Sequence, residues 1–241
     1  MGTRYLSDLL ETMGEYVDGV KYAGGSFALM PRRRVQELNH LVHQYEAYVS
    51  TGGWIEHVLA HGGPDDVARY IGEAQALGFD LIEISTGFIS LPTDDLIALV
   101  KAVKAAGLKA KPELGIQFGA GGATGTAELA LEGTRDVSWL IAQARRCLEA
   151  GADRIMIESE GITESVQRWR TDVVAKIIDE LGLEAVMFEA ADPAVFEWYL
   201  KNYSAEVNLF VDHSQIVQLE CLRAGIWGTK STWGRIATFR R

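Results

Sequence analysis

Strand and helix signals alternate along almost the whole chain, and that alternation commits it to a parallel sheet covered by helices. Short apolar runs at 18–23, 46–50, 79–84, 108–114, 154–158, 185–189 and 206–210 read as seven strands. Helical periodicity fills the intervals. Leu6, Leu9, Leu10 and Met13 share one face of 4–16, Pro31 opens a helix running to 45, and 54–61 is long enough for one or two turns. Pro64 opens a helix that Gly78 stops, and Thr93 is expected to cap one that carries Asp94 and Asp95 in its first turn and ends at Gly107. Further helices are expected over 127–150, 164–181, 193–203 and 214–224. The expected fold class is α/β, a TIM-like (β/α)8 barrel in a single domain over 1–241. A closed barrel has eight strands, yet this chain begins with a helix where the first strand belongs. The barrel is therefore expected to be open there, or completed by an unrecognised segment or a partner subunit.

Four glutamates close four successive strand signals: Glu83 in DLIEIST, Glu113 in KAKPELG, Glu158 in DRIMIES and Glu189 in AVMFEAA. The C-terminal strand ends of such a barrel form one rim, which carries the active site. Carboxylates converging on a rim repel one another unless they share a cation, a basic group or a proton. The plainer alternative is that some of them cap helices or pair with nearby Arg or Lys. The Gly-rich stretch 115–126 follows the strand of Glu113 and reads either as a flexible loop or as a lid or anion-binding nest.

Composition narrows the partners. The formal charge of −10 argues against general nucleic-acid binding and anionic membranes, but leaves room for a small anionic substrate at a local basic site. No run is as long as a membrane span, and the N-terminus has no signal-peptide pattern. Cys147 and Cys221 fall in helical patterns and suggest no disulfide framework, so a reducing cytoplasm is expected. The aromatic, basic tail, with Trp227, Trp233 and Phe239, reads as a subunit contact, and a homo-oligomer is expected.

The ordered motifs Lys21-Tyr22-Ala23-Gly24-Gly25-Ser26, Gly52-Gly53-Trp54-Ile55-Glu56, Ile82-Glu83-Ile84-Ser85, Pro112-Glu113-Leu114-Gly115, Glu149-Ala150-Gly151-Ala152, Phe188-Glu189-Ala190-Ala191, Val207-Asn208-Leu209 and Leu219-Glu220-Cys221-Leu222-Arg223 resemble those of the phosphosulfolactate synthase family. The resemblance implies a barrel enzyme that joins sulfite to phosphoenolpyruvate with magnesium, on the way to coenzyme M. It also reaches plant heat-stress-associated proteins, for which a protective role without catalysis is proposed. The departures fall on cations. The basic opening strand is missing, Ile116 and Gln117 stand where the family tends to have Lys, Glu160 stands at an Arg position, and Gly225-Ile226-Trp227 replaces G-L-R.

The resemblance implies roles for particular residues. Lys21, Glu113 and Glu158 are the expected catalytic residues, with Glu83, Glu113 and Glu158 as magnesium ligands. Glu189, Asn208, His213 and Arg223 are expected to bind substrate, although Arg223 can instead pair with Glu220, Asn208 can be a turn residue, and His213, which the family does not supply, can cap or lie at the surface. His57 and His61 are spaced to share one face of a helix and could reach a zinc ion; His40 and His43 read as helix-surface residues. Arg32-Arg33-Arg34 opposes the helix dipole unless an anion or acidic neighbour binds it.

Overall fold

The computed structural model describes residues 2–122, 124–190, 192–226 and 232–237. The chain divides into two compact units, one made of Met1–Leu114 with Ser138–Ile155, the other of Gly115–Val137 with Met156–Arg241.

The first unit alternates helices and strands: α1 (Thr3–Met13), β1 (Gly19–Lys21), α2 (Arg32–His43), β2 (Tyr48–Ser50), α3 (Ile55–His61), α4 (Pro64–Leu77), β3 (Leu81–Ser85), α5 (Thr93–Ala105) and β4 (Lys109–Leu114). β1 to β4 pair in chain order, all parallel. Parallel strands with helical crossovers are covered on both faces and need near-continuous apolar runs. Leu81, Ile82 and Ile84 of β3 and Ala110 and Leu114 of β4 are accordingly buried. α4 shows why its boundaries were readable. Pro64 takes the first turn, the Asp66 carboxylate accepts the Gly63 N–H at 2.8 Å, and Gly78 ends the helix at φ +86°. Tyr22, Phe27 and Phe79 form an edge-to-face aromatic cluster, and the half-buried Tyr22 hydroxyl donates to Asn39 Oδ1 at 2.8 Å.

The second unit contains α6 (Thr126–Glu132), α8 (Thr171–Leu181), β6 (Val186–Glu189), α9 (Pro193–Tyr203), β7 (Leu209–Phe210) and α10 (Ile216–Arg223), with β6 and β7 parallel. The chain passes from one unit to the other after β4, within α7 (Val137–Glu149) and within β5 (Ile155–Ile157). α9 packs Val195, Phe196, Tyr199 and Leu200 inward, and the Tyr199 ring lies 4.8 Å from that of Phe188 on β6.

All seven expected strands form. Three helix expectations need correction. The segment 127–150 is two helices, because Gly133 adopts φ +69° and interrupts the hydrogen-bond ladder between α6 and α7. The helix expected from 164 starts only at Thr171. Before it, Ser165 has φ +54°, and the Ser159 carbonyl accepts the amides of Ile162, Thr163 and Glu164, closing a compact turn instead. Thr93 is the first residue of α5 rather than its cap; its hydroxyl accepts from Gln143 Nε2 at 3.3 Å.

Candidate active site

Strand register assembles the charged group of the first unit. Lys21 lies opposite Ser50, Glu83 opposite Lys111, and Ser85 opposite Glu113. Side chains two apart on a strand share a face, so Lys21, Glu83, Lys111 and Glu113 all project on one side of the sheet. Ser50 on the intervening β2 is small and fully buried, which leaves room for the Lys21 stem to pass toward Glu83.

Lys21 Nζ lies 3.0 Å from Glu83 Oε1 and 3.5 Å from Glu113 Oε2. Lys111 Nζ lies 3.2 Å from Glu83 Oε2. One buried carboxylate is thus bracketed by two ammonium groups, and the second carboxylate shares one of them. The Glu83 and Lys111 side chains are only 1% and 2% exposed, so water screens this pair poorly; those of Lys21 and Glu113 are each 10% exposed. Burial works to raise the Glu83 pKa, but the attraction of Lys21 and Lys111 outweighs it and holds the carboxyl below its usual range. Burial presses the Lys111 pKa down from the ordinary lysine value, and the neighbouring Glu83 offsets this only in part. Glu83 sits in the middle of β3 rather than at its end, and Glu113 lies one residue before the end of β4. Lys111 was missed by sequence reasoning. Its two-residue spacing from Glu113 in KAKPELG was the available signal.

The second unit holds its carboxylates differently. Glu158 directly follows β5, is buried, and accepts the Glu160 N–H at 2.8 Å. The Ser159 hydroxyl donates to Glu164 at 2.8 Å. Glu160, the acidic residue at a position expected to be basic, is buried and accepts the Gly121 N–H at 2.8 Å, which ties it to the Gly-rich stretch. Gln117 donates to the carbonyls of Leu129 and Gly133, at 2.9 and 3.1 Å. Glu189 ends β6, in register with Phe210.

The remaining expected residues fall as follows. Asn208 precedes β7 instead of ending it, and its amide donates to the Leu183 and Val186 carbonyls at 2.9 and 3.2 Å, a backbone-bracing role. Arg223 takes the alternative noted above, with one nitrogen 2.9 Å from Glu220 and the other 2.9 Å from the Val207 carbonyl. His213 is exposed in a 3₁₀ turn capped by Asp212, which accepts the Ser214 N–H at 2.9 Å. His57 stacks on Trp54 with ring centroids 4.2 Å apart, and His61 Nδ1 lies 2.9 Å from the His57 carbonyl, a stacked rather than convergent arrangement. Arg32 pairs with Glu73, and Arg33 and Arg34 with Glu37, so acidic neighbours resolve the unfavourable helix start. His43 lies 2.8 Å from Asp80. Cys147 and Cys221 are free thiols, and burial pushes the Cys147 pKa up to about 12. Trp233 is exposed, while Trp227, Phe239 and the matched Ala191 lie outside the described residues.

Among the described residues, no group of three or more His, Cys, Asp or Glu side chains is disposed to hold a metal ion. Glu83 in particular fits poorly as a ligand, because each of its oxygens already faces an ammonium group. Glu113 and Glu158 could each offer a single carboxylate, which suffices for magnesium only with water and substrate oxygens completing the shell. Among the described residues, no helix is long and apolar enough to cross a membrane.

The arrangement belongs to the (β/α) barrel class, with seven strands among the described residues where a closed barrel has eight. 2,3-Dimethylmalate lyase, a PEP mutase/isocitrate lyase superfamily member, superposes with a TM-score of 0.52 at 13% identity, covering 92% of this chain and 85% of that one. Dihydrodipicolinate synthase from Agrobacterium tumefaciens superposes with a TM-score of 0.54 at 12% identity, covering 92% and 69%. At such identities the likeness concerns the fold alone. The family is set by the sequence: the chain belongs to the (2R)-phospho-3-sulfolactate synthase (ComA) family, whose model matches residues 1–229. The protein HEAT-STRESS-ASSOCIATED 32 of Arabidopsis thaliana is 41% identical over 228 residues, 90% of this chain and 79% of that protein. The phosphosulfolactate synthase of Methanothermobacter thermautotrophicus is 26% identical over 243 residues, 98% of this chain and 89% of that protein.

Proposed function

We propose that the chain is a lyase/synthase-type enzyme that adds sulfite, or a related nucleophile, to the double bond of phosphoenolpyruvate or a related unsaturated carboxylic acid. The observation that carries this reading is the buried group of Lys21, Glu83, Lys111 and Glu113 on one strand face, together with membership of a synthase family. In the proposed step, the lone pair of the nucleophile forms the new bond to the terminal alkene carbon. The electron pair of the double bond moves toward the carboxylate, and a proton then reaches the carbon next to it. Lys21 faces both carboxylates of the group and is suited to neutralise the growing enolate charge or to deliver that proton. Glu83 keeps the Lys21 ammonium charged and in place, and Lys111 fixes Glu83 from behind. Magnesium, held through Glu113 or Glu158 with substrate oxygens, would supply further stabilisation of enolate or phosphate charge. Glu189 and His213 remain assigned to substrate on this reading. Asn208 and Arg223 act through the backbone they brace. The reaction is assigned to a cytoplasmic homo-oligomer.

A second reading, a barrel scaffold without catalysis, is favoured by one observation. The heat-stress-associated relative is 41% identical where the synthase is 26% identical. Purified protein incubated with phosphoenolpyruvate, sulfite and magnesium, with phosphosulfolactate followed by mass spectrometry, separates the two. Magnesium-dependent product supports the synthase reading. Folded protein that makes no product and binds no magnesium in calorimetry supports the scaffold.

A further inference from the structure

α4 and α5 leave an apolar cleft of about 600 Å³ between them, within the roughly 300–1,000 Å³ range of small-molecule sites. The largely buried Val67, Ile71 and Leu99 form its floor, and the exposed Ala68, Gly72 and Ala102 form its sides. Lys21, Glu83, Lys111 and Glu113 take no part in its lining. Exposed alanine needs no special account, because alanine is the best helix former. Gly72 is different. It stands in mid-helix, where glycine destabilises relative to alanine, and a Cβ there would meet nothing within 4 Å. Packing within the chain therefore does not call for a glycine, and its effect is to widen the cleft.

The electrostatics of the cleft are one-sided. Among the described residues, Asp95 is the one charged side chain that lines it. Its neighbour Asp94 pairs with Arg146 at 2.5 Å, whereas Asp95 has no ion-pair partner among the described residues. Its place in the first turn of α5 favours the ionised carboxylate. The chain's formal charge of −10 opposes an anionic amphiphile such as a fatty acid. A single carboxylate beside an apolar trough complements an ammonium group instead. We infer that the cleft between α4 and α5 binds an extended apolar molecule carrying one amine. The apolar body lies on Val67, Ile71 and Leu99, and the ammonium group faces Asp95. This inference goes beyond the proposed function and does not rest on it.

Titration of the full chain with n-octylammonium, octanoate and methylammonium, followed by 1H–15N NMR, tests it. The Gly72, Ala98 and Ala102 amides are expected to shift saturably with octylammonium, at least fivefold more weakly with octanoate, and not saturably with methylammonium. Asp95→Asn should weaken octylammonium at least threefold, the scale of an exposed ion pair. Gly72→Leu should abolish the response at Ala98 and Ala102. The helix has room for this side chain and gains propensity from it, so the fold is expected to survive. No saturable response in the wild type would overturn the inference, as would equal affinity for octanoate or unchanged binding in Gly72→Leu. A shift of the same midpoint at the exposed Leu29 would mean general adsorption and would also overturn it. So would a wild-type oligomer that Gly72→Leu dissociates in sedimentation, because a second copy would then occupy the cleft. None of these readouts needs turnover, so this test and the assay with phosphoenolpyruvate fail independently.

Discussion

The two units hold their buried carboxylates by different means. In the first, Glu83 and Glu113 are neutralised by Lys21 and Lys111; Lys111 reaches Glu83 from the neighbouring β4, and Lys21 reaches both carboxylates from β1, across β2. In the second, Glu158 and Glu160 are held by the backbone amides of Glu160 and Gly121. Charge pairing in a dry sheet depends on every member being present, because removing one leaves the others uncompensated. An amide-held carboxylate depends on the local turn, and loses less when its charge is removed. The first arrangement suits chemistry that needs a fixed ammonium group; the second suits loop shaping.

The largest expected effect comes from breaking the first arrangement at its centre. Glu83→Gln leaves two buried ammonium groups facing a neutral amide, and should lower stability by about 3–5 kcal/mol, the usual cost of an orphaned buried charge. Urea denaturation of the two proteins gives the value; a difference below 1 kcal/mol would mean that the pairs contribute no net stability. The same group sets an acid limit. Because the Glu83 pKa is lower in the folded protein, its contribution is full above the unfolded carboxyl range and disappears as pH falls through the lowered folded value. Wild-type stability should thus fall more steeply with acid than that of Glu83→Gln, and parallel profiles would remove Glu83 as the cause.

Next in size is Lys21→Ala. On the proposed function it should lower turnover at least a hundredfold, or about 2.7 kcal/mol of barrier, with the fold retained. Wild-type turnover in that variant would sink the role of Lys21. Activity unchanged by Lys111→Met, in a protein that still folds, would show that Lys111 serves stability alone.

Much of this was legible in the sequence, for identifiable reasons. Apolar strand runs and the capping signals around Pro64, Gly78 and Pro193 are local, so β3, α4 and α9 fell where expected. Lys21, Glu83 and Glu113 were readable because strand-end glutamates and a strand lysine stand out against apolar neighbours. Lys111 was harder to see, since its meaning comes from register with Glu83 on a different strand. The stretch 164–170 was misread as helix, because its side-chain pattern allows helix while the bond from the Glu164 amide to the Ser159 carbonyl and the positive φ of Ser165 impose a turn.

The smallest expected effect tests the second arrangement. Glu160→Gln keeps an acceptor for the Gly121 amide and removes only the charge, so it should cost about 1 kcal/mol, the scale of one hydrogen bond. That contrasts with Glu83→Gln, although both carboxylates are buried to a similar degree. The difference follows from what is left behind. Gly121 retains an oxygen to bond, whereas Lys21 and Lys111 are left with two charges and only Glu113 of the group to balance them. Hydrogen exchange at the Gly121 amide reports the local change and urea denaturation the global one. Equal losses in the two variants would mean that Glu160 neutralises a buried cation as Glu83 does, and would erase the distinction between the units. A loss confined to faster exchange at Gly121 would sharpen it, by showing that this carboxylate shapes the Gly-rich stretch and contributes little to global stability.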